Sequence, residues 1–182
     1  MIHLAGTAKR SYLFPGSIHE AMQHYAIMEG LFKYLPNITL TKIYSPTQFR
    51  VLFSSTELSI YKIQLYCDLE VTIDTENAII TVGILNEKKP IKPKAGIHSS
   101  RGMAKFISIS QFVPDGEYTR IYYHLDLKGE LPTPRAFRLV PDNITNHIAD
   151  NIANQRICEI ADGFIIGSLA DFERKKRLAH QE

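Results

Sequence analysis

DNITNHIADNIANQRICEIADGFIIGSLADFERKKR, residues 142–177, reads as one uninterrupted amphipathic helix. Ile144, Ile148, Ile152, Ile157, Ile160, Phe164, Ile165, Leu169 and Phe172 recur at intervals of mostly three to five, the spacing that stacks side chains on one helix face. Asp150, Asn154, Arg156, Glu159, Asp162, Asp171 and Glu173 fill the gaps. Pro132, Pro134 and Pro141 punctuate the approach, and Asp142 or Asn143 supplies an N-cap. At about 1.5 Å per residue this helix runs about 54 Å. That is too long to pack along a single straight strand pair, so the stretch predicts a helix laid across a curved sheet.

The residues upstream supply such a sheet. Tyr61 to Asp74 alternates without a break, with Tyr61, Ile63, Leu65, Cys67, Leu69, Val71 and Ile73 on one face and charged or polar residues, with Tyr66, on the other. Further strands are expected at 8–14, 38–44, 48–54, 78–85, 104–113 and 118–128, joined mainly by hairpins. Between the first two of these, Ile18 to Tyr34 shows helical spacing broken near Glu29-Gly30, which predicts two short helices, the first capped by Ser17. Residues 86–103 carry two prolines, two glycines and no periodicity, and read as a long loop. The fold class is α+β: a curved antiparallel sheet of six to seven strands, two short helices after the first strand, and one long C-terminal helix.

Composition narrows the classes. At 182 residues and 45% hydrophobic, the chain suits one domain spanning 1–182 with a sizeable core. Its 21 basic and 19 acidic residues nearly balance, and no basic stretch carries interleaved aromatics, so nucleic acid is not an expected partner. Cys67 and Cys158 are isolated, which fits a reducing compartment. With no apolar leader in the first twenty residues and no transmembrane stretch, the reading is a soluble cytoplasmic protein, peripheral to a membrane at most. The Asn-Ile-Thr sequences at Asn37 and Asn143 are then idle as glycosylation sites.

The order of strand, two short helices, hairpin-connected strands and a long terminal helix resembles the START-like, or helix-grip, superfamily, which includes polyketide cyclases and lipid-transfer proteins. The resemblance covers roughly residues 7–177. Within it, the run Leu127-Lys128-Gly129-Glu130-Leu131-Pro132-Thr133-Pro134 with Leu139-Val140-Pro141 is similar to an uncharacterised branch found in cyanobacteria and plastid-bearing organisms. The resemblance implies a hydrophobic cavity between the concave sheet face and the helix, holding a lipid, quinone, isoprenoid or pigment and needing no cofactor. Its candidate lining is Ile63, Leu65, Cys67, Leu69, Ile107, Ile109, Tyr123, Leu125, Ile157, Ala161, Phe164 and Ile165. The same residues equally serve a solid core. Two other readings stand beside the binding protein: a cyclase or lyase using the same pocket, and a protein- or membrane-interaction module with a closed cavity.

Polar features add little chemistry. Tyr66 and His124 are candidates for a pocket mouth, although with Asp68, Glu70 and Asp126 they lie opposite the apolar stripes and suit an ordinary outer face. His19-Glu20 and His24 invite comparison with a zinc motif, but a spacing of five turns the imidazoles about 140° apart, so no metal is expected. His147 and Cys158 are too far apart on the helix to act as a dyad. Gly163 and Gly167 each cost about 1 kcal/mol in a helix, so they leave room for a ligand, permit a bend, or let the helix pack closely on strand side chains. Lys88, Lys89, Lys92, Lys94 and Arg101 in the loop 86–103, and the basic end 174–182, are candidates for touching an anionic membrane surface or an acidic protein. The alternative for both is plain solvation, with a favourable helix dipole at the second.

Overall fold

A computed structural model describes residues 1–86, 88–137 and 139–179. Glu87 of the basic loop and residues 180–182 of the basic end lie outside the described residues. Eight strands form one sheet: β1 (Ile2–Phe14), β2 (Ile38–Ser45), β3 (Gln48–Glu57), β4 (Tyr61–Asp74), β5 (Ile79–Ile84), the two-residue β6 (Lys94–Ala95), β7 (Ser99–Asp115) and β8 (Tyr118–Leu131). Their order is β1-β8-β7-β5-β4-β3-β2, with β6 on the start of β7. All pairings are antiparallel except one, where Ser99–Met103 of β7 runs parallel to Lys62–Tyr66 of β4 below the end of β5. Helix α1 (Ile18–Ala26) and a 3-10 segment (Met28–Tyr34) are the two short helices, and α2 (Asp142–Ala179) is the long one.

The sheet extends further than the hydrophobic pattern suggests. Strand β7 begins at Ser99, inside the expected loop, because its first inward residues are Ser100, Gly102 and Ala104, which carry little hydrophobic signal yet are buried. Gly102 is small by necessity, since a Cβ there would lie 2.8 Å from the Glu130 carbonyl. Arg101 therefore sits on a strand, half-buried, and Lys94 on β6.

Helix α2 grips the sheet by its edge. Strand β1 has no neighbour on its outer side, and its amide groups would be open. Instead His3 N donates to Asn146 Oδ1 (3.2 Å), Ala5 N to Asp150 Oδ1 (3.1 Å) and Thr7 N to Asn154 Oδ1 (3.2 Å). Four residues of helix rise about 6 Å and two residues of strand about 6.8 Å, so the two repeats run nearly in step over three rungs. Arg10 extends the line with a two-pronged ion pair to Asp162. The approach is close enough that a Cβ on Gly6 would lie 2.9 Å from the Ala153 carbonyl oxygen.

That ladder rotates the first turns of α2 away from the expected orientation. Small residues, Thr145, Ala149 and Ala153, face inward, and Ile144 and Ile148 are exposed. From Ile157 to Phe164 the stripe behaves as the spacing predicts, with Ile157, Ile160, Ala161 and Phe164 buried; beyond it Ser168 and Asp171 are the buried residues, and Ile165, Leu169 and Phe172 are half-buried. Gly163 and Gly167 lie against the segment that follows α1: a Cβ on Gly167 would stand 2.6 Å from the Tyr34 ring, and one on Gly163 would run into Pro36. Close packing on Tyr34, at the end of the 3-10 segment, and on Pro36 just after it, rather than on strand side chains, accounts for both glycines.

A polar seam fixes α1 to the far end of α2. Ser17 and Glu20 form a capping box at the start of α1. His24 Nε2 donates to the Ser168 carbonyl (3.0 Å), and Tyr12, Tyr25 and Ser168 hydroxyls form a chain at 3.1 and 2.9 Å. His24 thus has a structural role, buried and apart from His19.

Candidate functional site

Between the concave face and α2 lie two small voids. The first, about 50 Å³, is walled by Ile63, Leu65, Cys67 and Leu69 of β4, Val51 and Phe53 of β3, Phe106, Ser108, Tyr123 and Leu127 of β7 and β8, Met28, Phe32 and Leu35 near the 3-10 segment, and Ile152, Arg156, Ile157 and Ile160 of α2. The second, about 120 Å³, lies toward the N-terminal end of α2, among Ile2, Leu58, Tyr61, Leu131, Phe137, Val140, Thr145, Ile148 and Ala149. Leu4, Ile63 and Ile152 wall both voids, and Ile152 stands on the helix side of the partition.

The expected residues separate into three groups. Ile63, Leu65, Cys67, Leu69, Tyr123 and Ile157 wall the first void. Leu125, Ala161 and Phe164 are buried but pack the solid core, and Ile165 is half-buried at its flank. Ile107 and Ile109 face the other way: they are 37% and 42% exposed on the convex side. The correction comes from register. Ser108 pairs with Leu125 and Ile109 with His124, so once Leu125 faces inward Ser108 must as well, and the isoleucines of Phe106-Ile107-Ser108-Ile109 turn outward. Over Ile107-Ser108-Ile109 the serine points in and the larger isoleucines out, a local inversion of the usual alternation.

Tyr66 and His124 are not at a pocket mouth either. Both lie on the convex face, where His124 Nε2 is 3.2 Å from Thr7 Oγ1 and 3.2 Å from Asp126 Oδ2. Asp68 shares that face but is buried, held by both prongs of Arg50 at 2.7 Å and by the Tyr44 hydroxyl at 3.2 Å. The start of the basic loop closes over this cluster: Lys89 O accepts from Arg50, and Lys88 Nζ lies 4.8 Å from the centre of the Tyr44 ring. Lys92 and Lys94 are exposed.

Phe106, Val51, Phe53, Leu4, Ile152 and Arg156 are wall residues that the hydrophobic pattern did not single out. The alternation of Phe49, Val51 and Phe53 was a usable signal; the position of Arg156 was not, because an arginine on a helix reads as solvent-facing. Its guanidinium is fully engaged. Arg156 Nε and Nη2 donate to the two Glu57 oxygens, each at 2.9 Å, and Nη1 donates to Glu159 at 2.6 Å. Those hydrogen bonds hold the buried Glu57 carboxyl below its ordinary value, against the upward push of burial.

The remaining polar groups of the walls are weak reagents. Burial pushes the Cys67 thiol up to about 12, so it stays protonated. The Tyr123 phenol is driven far above its usual range, first by burial and then by the nearby Tyr25, while a hydrogen bond with Ser108 works in the opposite direction. No carboxylate or imidazole of the described residues stands free in the walls, so the arrangement suits holding an apolar molecule better than moving protons.

No family model and no curated protein matches the chain in sequence. Solved structures match it in shape. An aromatase/cyclase from a Streptomyces species superposes with a TM-score of 0.56 at 12% identity, over 96% of this chain and 98% of that one. A conserved protein from Geobacillus kaustophilus gives 0.55 at 12% identity, covering 93% and 95%. Truncated norcoclaurine synthase from Thalictrum flavum gives 0.50 at 10% identity, covering 90% and 93%. The chain has the START-like helix-grip fold that these proteins share. No helix of the described residues is long and apolar enough to cross a membrane.

Proposed function

We propose that this helix-grip protein binds a neutral, apolar small molecule of the lipid, quinone, isoprenoid or pigment kind, in a chamber formed by merging the two voids between sheet and α2. The observation that carries the reading is the wall itself: it is almost entirely carbon, and its one charged residue, Arg156, is already neutralised by Glu57 and Glu159. A carboxylate ligand would have to displace that pair, whereas an uncharged one leaves it intact. As they stand, about 50 and 120 Å³ are smaller than the roughly 300 Å³ or more that a drug-sized ligand fills. Filling therefore requires Ile152 and flexible wall residues such as Met28 to move aside.

The structural likeness to an aromatase/cyclase and to norcoclaurine synthase fits a site of this class without assigning a reaction. Binding is favoured over turnover because Cys67 and Tyr123, held in their protonated forms, have no adjacent base among the wall residues. The test is displacement of the neutral fluorophore N-phenyl-1-naphthylamine. A long-chain alcohol should compete at least about tenfold better than the carboxylate of equal length, the factor that about 1.4 kcal/mol represents. Equal or stronger competition by the carboxylate contradicts the neutral-ligand reading, and absence of fluorophore uptake contradicts the chamber.

A further inference from the structure

The second void opens toward one pole of the molecule, where α2 begins. Three connecting segments meet there beside the first turns of α2. The β3–β4 turn carries Leu58 and Ile60; residues 96–98 carry Ile97, tied to the first turn by Lys62 N donating to His98 O at 2.9 Å. The segment before α2 carries Leu139, tied in by Arg135 N donating to Gly96 O, while Ile148 and Leu58 share the wall of the void. Leu58, Ile60, Ile97 and Leu139 are 62%, 63%, 62% and 97% exposed. Leu58 carries a further cost: its φ is 51°, a left-handed position in a tight hairpin where Asn or Gly is the comfortable choice. Leu58 thus combines a left-handed backbone with a side chain that lines the void at its rim and leaves most of its surface exposed.

We propose that this pole docks on an anionic lipid bilayer, with the aliphatic tips entering the interface and the mouth of the chamber facing the acyl chains. The proposal rests on the reading that the voids hold a ligand and adds where that ligand enters. Charge supports it: among the described residues, exposed Lys62, Lys92, Lys94 and Arg135 lie in or beside these segments, with exposed Asp142 at the start of α2. Chemistry favours a bilayer over a protein partner, because the four tips are separate aliphatic prongs, without the aromatic anchors that dominate protein interfaces. Prongs of this kind sink about 5–10 Å into a headgroup layer, and basic residues beside them are drawn to its charge. The docking lysines are thus Lys62, Lys92 and Lys94, not Lys88 and Lys89, which sit over the convex face.

The experiment is flotation of the full chain with phosphatidylcholine vesicles, with and without phosphatidylglycerol. The wild type should float with the anionic vesicles, and Lys62→Gln/Arg135→Gln should weaken that at least about tenfold. Leu58→Asn should lose about tenfold or more while its melting temperature holds or rises, because Asn relieves the left-handed turn. Ile60→Ser/Leu139→Ser should lose flotation yet take up N-phenyl-1-naphthylamine from solution like the wild type. Flotation equal to wild type in these variants, or a wild type that does not float, overturns the docking surface. A photo-cross-linker at residue 60 that captures a protein and never lipid overturns it as well. Failure of fluorophore uptake in the wild type overturns the chamber instead, so the two ideas fail separately.

Discussion

Ile152→Ala removes the helix-side partition between the two voids. The substitution deletes three carbons from a half-buried side chain that walls both. At about 0.8 kcal/mol per carbon the transfer loss is about 2.4 kcal/mol. Residual void adds to that and partial exposure subtracts, leaving an expected destabilisation of about 2–3 kcal/mol, at the low end for such truncations. The enlarged chamber should then accept N-phenyl-1-naphthylamine without first displacing a side chain, so its affinity should rise about tenfold, the equivalent of about 1.4 kcal/mol. The two effects separate in one assay, thermal unfolding with and without the fluorophore. Without it the variant melts lower; with ligand at about 100 times its Kd, about 2.7 kcal/mol returns and most of the loss is recovered. A destabilised variant whose affinity is unchanged or weaker would refute the partition, because it would mean that the ligand does not span the two voids.

Further outcomes follow from the packing. Gly6→Ala places a Cβ against the Ala153 carbonyl and must lift α2 off the three side-chain bonds to β1, so it should cost about 3 kcal/mol in urea melts, a large effect for one methyl group. Gly167→Ala would gain about 1 kcal/mol in an open helix, yet here it should destabilise by about 1–3 kcal/mol, since the Tyr34 ring it meets is anchored by its hydroxyl to Asp171 at 2.8 Å. Stability should fall in two steps on acidification. His24, lowered chiefly by burial, has a folded value below its unfolded 6.5, so the unfolded chain takes the proton first; its contribution is complete above about pH 6.5 and lost below, and His24→Asn should remove that step. Glu57 is held low by Arg156, and Asp171, raised by burial, is pulled lower still by Lys175, Tyr34 and Arg174. Their contribution is complete above about pH 4.5 and lost as the pH falls through their folded values, which a second drop in the urea midpoint would report.

The architecture was legible because its strongest signals were long. Seven alternations in β4 and ten helical turns in α2 survive any local exception, and their order around two short helices leaves few folds. The candidate site was legible only where burial follows hydrophobicity, as in Ile63, Leu65, Cys67 and Leu69. In β7 it does not: Ser108 faces inward while Ile107 and Ile109 face out, because strand pairing with β8 fixes the phase and the apolar residues of β7 conflict, Phe106 and Phe112 lying on one phase and Ile107, Ile109 and Val113 on the other. The start of α2 misleads for a related reason. Asn146, Asp150 and Asn154 read as a solvated face, yet they replace a missing neighbour strand along β1, and that duty rotates Ile144 and Ile148 outward. Both misreadings arise from hydrogen-bond pairings between residues more than a dozen positions apart, which hydropathy does not encode.

The central claim is that the ligand sits between sheet and helix and not on the convex face. Methyl-labelled NMR during titration with N-phenyl-1-naphthylamine tests it most directly. Ile63, Leu65, Ile152 and Ile157 should shift together and saturate at one stoichiometry, while Ile107 and Ile109 stay unmoved. Shifts concentrated at Ile107 and Ile109 with the inner methyls silent would contradict the account.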